Sequence, residues 1–384
     1  MPRAEPQWID DDAALDALIE PWPEPLVLGV DTEFMRRNTF FPQLALLQVA
    51  AGGQVALVDP LACRANERFR QRLEDPATIC IMHSAGEDME ALSSWLPRGP
   101  ARLFDTQIAA DMAGMGAGIS YRALVLSVIG ADLDKGETRS DWLRRPLSPS
   151  QRDYAALDVL HLHALHAYLH AKLVERGRLE WLYEDSARLC ARADREQIDP
   201  QPQRGLRGAS GWPAEQQALL RQILLWRERS ARELDAPRPW LIDDKLALSL
   251  AAEPPATPEA LFERVRGQRA LRGPQRRALF ELLQRPLEPA EIENTDEIAP
   301  LPTRADRAAL EAMKQAVNAL ASELDMSAGL LCPRRLLEEL LMTRRWPQGL
   351  EGWRRPLLEP RLSPLLLRSG TGERGPGTGG DAVA

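Results

Sequence analysis

Residues Leu26 to Ala50 read LVLGVDTEFMRRNTFFPQLALLQVA: two apolar runs joined by an acidic, then a basic and aromatic, connection. The first run, Leu26-Val27-Leu28-Gly29-Val30, ends in Asp31-Thr32-Glu33, and the second occupies Leu44 to Val49. Their length and composition predict two buried strands. Side chains alternate along a strand, so Asp31 and Glu33 project on the same side. Two neighbouring carboxylates at the end of a buried strand repel each other and resist leaving water. Such a pair commonly exists to hold a cation. Taken alone, a D-x-E also fits a solvated strand end.

Outward from this stretch, Ala13 to Glu20 predicts a short helix and Pro21-Trp22-Pro23-Glu24-Pro25 a stiff lead-in to the first strand. Downstream, Gly52-Gly53 predicts a hairpin turn into Val55 to Val58. Thr78 to Met82 reads as another buried strand. Arg64 to Leu73, Ala85 to Leu96 and the segment after Asp105 read as helices, which together predict an α/β layer structure. Ser150 to Arg176 reads as one long helix, started by Ser148-Pro149 and ended by Gly177. From about residue 205 the pattern is helical with Pro-rich joints. Ala231-Arg232-Glu233-Leu234-Asp235 recurs as Ala321-Ser322-Glu323-Leu324-Asp325, an offset of 90 residues, which predicts two copies of one helical unit. Residues 369–384 are Gly-rich without apolar periodicity and predict a disordered tail.

A chain of 384 residues predicts two or three domains. No apolar run approaches the length that crosses a bilayer, and the acidic N-terminus lacks a signal-peptide pattern. Cys63, Cys80, Cys190 and Cys332 are widely spaced, as expected of reduced thiols in a cytoplasmic protein. The net charge of −8 is unevenly spread: residues 1–200 carry 21 Lys+Arg against 31 Asp+Glu, and the remainder 27 against 25. An acidic first part suits cations, whereas the Arg-dotted second part suits phosphates. Only four of the basic residues are Lys, a bias that GC-rich coding also produces.

Two further motifs join the opening pair. In HSAGEDME, His83 to Glu90, a strand gives way to a helix, and Glu87 and Asp88 fit either a functional acid or a helix cap. In YAALDV, Tyr154 and Asp158 stack one turn apart, beside the apolar Val159-Leu160. His161, His163, His166 and His170 crowd the following helix, but no third ligand or HExxH accompanies them, so packing is expected. Asp105 precedes a helix and is expected to cap it. His83, Phe40 and Gln43 lie beside the motifs, where they suit contact with a terminal nucleotide. Core packing suits the phenylalanine equally.

D-x-E, then an isolated helix-start Asp, then Y-x-x-x-D resembles the DEDDy exonucleases, and VDTEF, HSAGEDME, FDTQIAA and YAALDV resemble the ribonuclease D family in particular. The resemblance spans about residues 8 to 180. It implies a ribonuclease H-like mixed sheet flanked by helices over residues 1–200, with catalytic Asp31, Glu33, Asp88, Tyr154 and Asp158. The four carboxylates would hold two divalent metal ions, Mg²⁺ or Mn²⁺, about 4 Å apart. It further implies that Asp31 bridges both ions, that Glu33 and Asp158 complete one site, that Asp88 serves the other, and that Tyr154 orients the attacking water.

Leu224 to Arg238, centred on Trp226, resembles the HRDC module. HRDC-type helical domains are therefore expected at residues 205–290 and, more diverged, at 293–368. Arg264, Arg266 and Arg269 form a basic run suited to phosphate contact or to a solvated surface. The combined expectation is a monomeric 3′→5′ exoribonuclease acting on 3′ ends of tRNA precursors and other structured RNA, with no organic cofactor and no membrane partner. The helical part is expected to aid RNA binding while being dispensable for short oligonucleotides. A DNA exonuclease of the same superfamily and a non-catalytic RNA-binding adaptor are the alternatives.

Overall fold

A computed structural model describes residues 6–64, 67–133, 137, 140–194 and 197–369. The tail expected to be disordered, from residue 370 onward, lies outside them. The chain divides into two compact units, with the division between Ile298 and Ala299.

The first unit begins with β1 (Gln7–Ile9), α1 (Asp12–Ile19), β2 (Val27–Met35), β3 (Gln43–Ala51), β4 (Gln54–Val58), α2 (Glu67–Glu74), β5 (Ile79–Met82), α3 (Gly86–Leu92) and β6 (Leu103–Asp105). It continues with α4 (Thr106–Met112), α5 (Tyr121–Ile129), α6 (Pro149–Leu160), α7 (Leu162–Glu175) and α8 (Leu179–Ala193). The six strands form one mixed sheet in the order β1-β4-β3-β2-β5-β6. β2 and β3 are antiparallel, as are β3 and β4, whereas β5 pairs in parallel with β2 and β6 in parallel with β5. Gly52 and Gly53 both have positive φ at the β3–β4 turn, the conformation that a tight hairpin needs and glycine supplies.

β2 carries the opening motif because it outruns its parallel neighbour. β5 pairs only with Val27, Leu28 and Gly29, whereas β3 follows β2 to Met35. Asp31 to Met35 therefore lie beyond the end of β5, where α3 packs against β2 instead. The pairing slips by one residue between Glu33 and Phe34, a bulge that leaves Ala45 of β3 without a strand partner. Arg145 takes up the freed Ala45 carbonyl at 2.6 Å while it also holds Asp59 at 2.6 and 2.7 Å.

The predicted single helix over 150–176 is two. α6 ends at Leu160 and α7 begins at Leu162 because the Tyr121 hydroxyl enters the helical ladder. It donates to the Leu157 carbonyl at 3.0 Å and accepts from the His161 amide at 3.2 Å, the two groups that a continuous helix would join to each other. Beyond the break, Leu162 approaches Gly29 so closely that a Cβ there would lie 3.3 Å from the leucine side chain. Glycine at that position lets α7 settle on β2.

The helical part of this unit comprises α9 (Ala214–Glu233), α10 (Arg238–Leu241), α11 (Asp244–Ala252), α12 (Pro258–Arg264), α13 (Gly273–Gln284) and α14 (Pro289–Glu293). Trp226, Leu220, Ile223 and Leu250 are among its buried residues, and Phe40 of the β2–β3 loop packs against the same core. Residues 1–200 and 205–290, expected as separate modules, thus fall in one unit. The second unit contains α15 (Arg304–Glu323), α16 (Ala328–Leu331), α17 (Arg334–Thr343) and α18 (Arg355–Ser369). α9 and α15 span the same length at an offset of 90 residues, and so do α10 and α16. Asp235 and Asp325 both take positive φ after their helices, so the sequence repeat is also a backbone repeat.

Candidate active site

Five side chains come from three elements. Asp31 and Glu33 stand on β2, Asp88 on α3, and Tyr154 and Asp158 on α6. α6 is started by a reciprocal cap, in which Ser148 and Gln151 each satisfy the other's backbone amide, with Pro149 in its first turn. It lies across β2, β3 and β4, burying Ala155 and Val159, while the Tyr154 ring leans on Trp142 at 6.1 Å. The break made by Tyr121 comes three residues after Asp158 and fixes where that carboxylate ends up.

Asp88 is placed by Asp105. The Asp105 carboxylate accepts from Gln107 and Ile108, as its expected capping role requires, and also from the amides of Ser84 and Ala85 at 3.1 and 2.8 Å. The turn that launches α3 is thereby pinned to the end of β6. Asp88 in turn accepts a hydrogen bond from the Thr32 hydroxyl.

The electrostatics of the four acids are alike. Burial, then repulsion by Asp88, Asp158 and Glu33, holds the Asp31 carboxyl well above the usual carboxylate range. Glu33 is pushed up to about 8 by burial and by Asp158 and Asp88. Asp158 is pushed up to about 7 by burial, partly offset by the facing Tyr154 hydroxyl, and Asp88 to about 6 by burial, partly offset by Thr32. Burial and the neighbouring Asp158 raise the Tyr154 phenol, which stays protonated at neutral pH. Among the described residues no Arg or Lys lowers any of the four acids.

This donor set fits hard divalent cations: four oxygen-bearing acids with no positive partner among the described residues. A second observation points the same way. Gln48 on β3 is fully buried, neither its Oε1 nor its Nε2 has a hydrogen-bond partner among the described residues, and its backbone position pairs across the sheet with Asp31. A buried amide without such partners beside a half-buried acid suits a site that takes up polar ligands. Among the described residues no three His, Cys, Asp or Glu side chains stand in ready ligating geometry. Acids that repel one another are expected to stand apart until a cation draws them together.

The remaining sequence-predicted residues fall outside this cluster. His83 is half-buried with both ring nitrogens engaged, Nδ1 with Thr106 at 2.9 Å and Nε2 with the Ile119 carbonyl at 3.1 Å. Its ring meets Tyr121 edge-on. Phe40 is flanked by the guanidinium groups of Arg232 and Arg238, and Gln43 is exposed at the start of β3. Arg264 bonds the Glu253 carbonyl, Arg266 pairs with Glu263, and Arg269 covers the Trp240 ring. Among the crowded histidines, His163 bonds the Val27 carbonyl at 2.9 Å. His166 packs on Phe104 with its pKa pushed down to about 4, chiefly by burial.

Three contributors were not anticipated from the sequence: Gln48, Tyr121 and the second role of Asp105. Gln48 left a readable signal, a lone amide inside LALLQVA in phase with the acids across the hairpin. Tyr121 left none, since its contact is 36 residues away.

A family model described as a 3′-5′ exonuclease matches residues 6–174. Ribonuclease D of Xanthomonas oryzae pv. oryzae is 41% identical over 370 residues, covering 95% of this chain and 99% of the relative. Ribonuclease D of Pseudomonas paraeruginosa is 36% identical, covering 95% and 97%. The crystal structure of Escherichia coli RNase D, described as an exoribonuclease involved in structured RNA processing, superposes with a TM-score of 0.80 at 28% identity. That match covers 95% of this chain and 99% of that one.

Proposed function

Because the chain belongs to the ribonuclease D family and is a 3′-5′ exoribonuclease, we propose that Asp31, Glu33, Asp88 and Asp158 hold two Mg²⁺ or Mn²⁺ ions and that the enzyme trims the 3′ ends of structured RNA, tRNA precursors included. The observation that carries the metal reading is four acids whose carboxyls are all raised, by burial first and by neighbouring acids second, with no basic partner among the described residues. When bound, the two ions supply charge stabilisation for the phosphate and its leaving oxygen. The protein's own contribution is positional. Asp31 and Glu33 project from one strand, α3 and α6 carry Asp88 and Asp158 beside it, and Tyr154 stays protonated to donate a hydrogen bond. A neutral phenol orients a water; it does not deprotonate one at pH 7.

The domain assignment, an exonuclease over 1–200 followed by HRDC-type modules at 205–290 and 293–368, is supported by the helix bounds that repeat at 90 residues. Structured RNA as the substrate is supported by what the E. coli relative is described as processing. A cytoplasmic location accords with four free thiols, and no helix of the described residues is long and apolar enough to cross a membrane.

The test is a time course on 5′-labelled tRNA carrying a 3′ extension, beside matched RNA and DNA oligonucleotides, with Mg²⁺, Mn²⁺ or chelator. The expected result is stepwise loss of 3′ nucleotides as 5′-mononucleotides, a pause near the acceptor stem, RNA favoured over DNA, and no reaction in chelator. Activity that survives chelation overturns the metal reading, and equal rates on DNA overturn the substrate assignment.

A further inference from the structure

The β2–β3 loop leaves the carboxylate strand at Met35 and runs directly into Arg36 and Arg37. It does not hang free. The Asp235 carboxylate accepts from both the Phe40 and the Phe41 amides, at 3.0 and 3.1 Å, through one oxygen. Asp235 follows α9 in the left-handed region, φ 44°, with the Ala236 amide returning to the Ala231 carbonyl at 2.9 Å. This helix-ending turn aims the Asp235 side chain away from α9 and at the loop. Arg232 and Arg238 close over the Phe40 ring, 5.1 and 4.5 Å from its centre, and Glu228 holds both of them.

Between the clamped loop and α10–α11 lies an open cleft of about 770 Å³. Arg36, Arg37, Arg227, Arg238 and Lys245 line it, against Asp243 and Asp244, an excess of positive charge in a chain of net −8. The acids there are already engaged. Asp243 caps α11 through the Leu246 amide, and Asp244 pairs with Arg227 at 2.7 Å. Arg36 pairs with Glu90, two residues past Asp88 on α3. Arg37 and Lys245 are exposed and make no ion pair with a described acid. The cleft thus opens beside the loop that leaves β2, is linked to α3 through Arg36 and Glu90, and presents two cations without a described ion-pair partner.

We propose that this cleft carries the phosphate backbone of single-stranded RNA lying upstream of the 3′-terminal nucleotide. Arg37 and Lys245 are its phosphate contacts, and Asp235 is the positioning residue that assembles it. The inference rests on the carboxylate cluster being the hydrolytic site. Its chemistry is that of a non-sequence-specific strand track: guanidinium and ammonium groups take phosphate oxygens wherever the bases point. Because Asp235 sits in the helical part and the amides it accepts from lie in the loop that leaves the carboxylate strand β2, the helical part shapes the substrate path as well as adding affinity.

Fluorescence anisotropy of a labelled 12-nucleotide RNA on the full chain in chelator, over a salt series, tests the track. In Arg37→Glu/Lys245→Glu the affinity is expected to fall about tenfold or more. The slope of log K against log salt is expected to shrink by roughly 1.4, at about 0.7 per phosphate contact on a single strand. The ratio of kcat/KM for the 12-nucleotide RNA to that for a dinucleotide is expected to fall with it. Asp235→Gly, which keeps the left-handed turn but loses the acceptor, is expected to weaken RNA binding at least threefold, whereas Asp235→Asn, which keeps an oxygen, restores it. Unchanged affinity and slope in the charge-reversed protein overturn the track, and Asp235→Gly indistinguishable from Asp235→Asn overturns the latch. If circular dichroism finds the double variant unfolded, Arg37→Ala and Lys245→Ala decide singly, each expected to remove about half of the slope change. A wild-type enzyme that fails to hydrolyse the dinucleotide with Mg²⁺ overturns the hydrolytic reading itself, independently of how the RNA binds.

Discussion

Asp31 and Arg37 lie six residues apart, yet the regions around them handle charge in opposite ways. At the carboxylate cluster four like charges are withdrawn from water with no basic partner among the described residues, and desolvation with repulsion from neighbouring acids keeps all four above their ordinary pKa. At the cleft most charges are balanced: Arg36 by Glu90, Arg227 by Asp244, Arg238 by Glu228. An exposed pair such as Arg36–Glu90 is worth little in stability, roughly 0–1 kcal/mol, but all three pairs set the directions in which the guanidinium groups point. An unbalanced buried cluster calls for a ligand to complete it, whereas a nearly balanced surface leaves the few unpaired groups to choose one.

The comparison breaks most visibly at Asp31. Asp31→Asn removes one acid from the centre of the cluster and is expected to cut hydrolysis by a thousandfold or more, on the order of the several kcal/mol that metal-ion catalysis supplies. RNA binding in chelator should stay within about twofold, since the cleft is untouched. Quench-flow or gel-based single-turnover rates check this, and residual activity within tenfold of wild type would remove Asp31 from the site.

Tyr121→Phe probes the same cluster through its scaffold. Loss of one hydroxyl lets the His161 amide return to the Leu157 carbonyl, straightening the α6–α7 junction and moving Asp158. A displacement of this kind costs up to about a hundredfold in rate, and we expect about tenfold. The Mg²⁺ concentration giving half-maximal rate should rise with it. A rate loss without any change in metal dependence would confine Tyr121 to folding.

The raised pKa values set a pH dependence whose sign follows from linkage. In metal-free protein the folded state holds protons on Asp88, Asp158 and Glu33 up to about 6, 7 and 8, whereas the unfolded chain releases them near 4. Stability from this source is therefore present at low pH and is lost as pH rises from about 4 through 8. Cations oppose that loss, so the gain in Tm from Mg²⁺ over chelator is expected to be several degrees at pH 8.5 and near zero at pH 5. Equal gains at both pH values would contradict the shared burial of the acids.

The smallest effect is expected on the basic side. Glu228→Gln removes the acid that holds Arg232 and Arg238 and should lower stability by about 1–2 kcal/mol while tightening RNA binding about twofold. Chemical denaturation and anisotropy read the two changes. Weaker RNA binding in this variant would mean that fixed guanidinium directions matter more than net charge.

Much of the site was legible because its signals are local or periodic. The D-x-E alternation on β2, the helix-start setting of Asp88 and the i, i+4 stacking of Tyr154 and Asp158 each need only a few residues of context. Gly52-Gly53, the capped start of α6 and the 90-residue repeat were readable for the same reason. Other features were not. The edge strand β1 is three residues long and exists through its parallel pairing with β4. The break at His161 depends on Tyr121, which arrives from α5, and no pattern inside the 150–176 stretch announces it. The helical part, expected to be dispensable for short substrates, is tied to the β2–β3 loop by Asp235, 194 and 195 residues away from its two amides. Truncation before residue 205 therefore removes that latch along with the cleft.

The sequence by itself determined which chemistry is available: acids in a spacing that only a fold with buried strands and capped helices brings into phase, and a second half rich in arginine. Tertiary structure decided which charges stay uncompensated. Whether a carboxylate or guanidinium has a partner depends on residues far along the chain, and electrostatic energy follows distance and burial in space. Asp105 and Asp31 look alike in sequence, each opening a D-T pair after an apolar run, but Asp105 closes on four backbone amides while Asp31 faces three other acids. That difference, made entirely by folding, separates a structural aspartate from one placed to bind a cation.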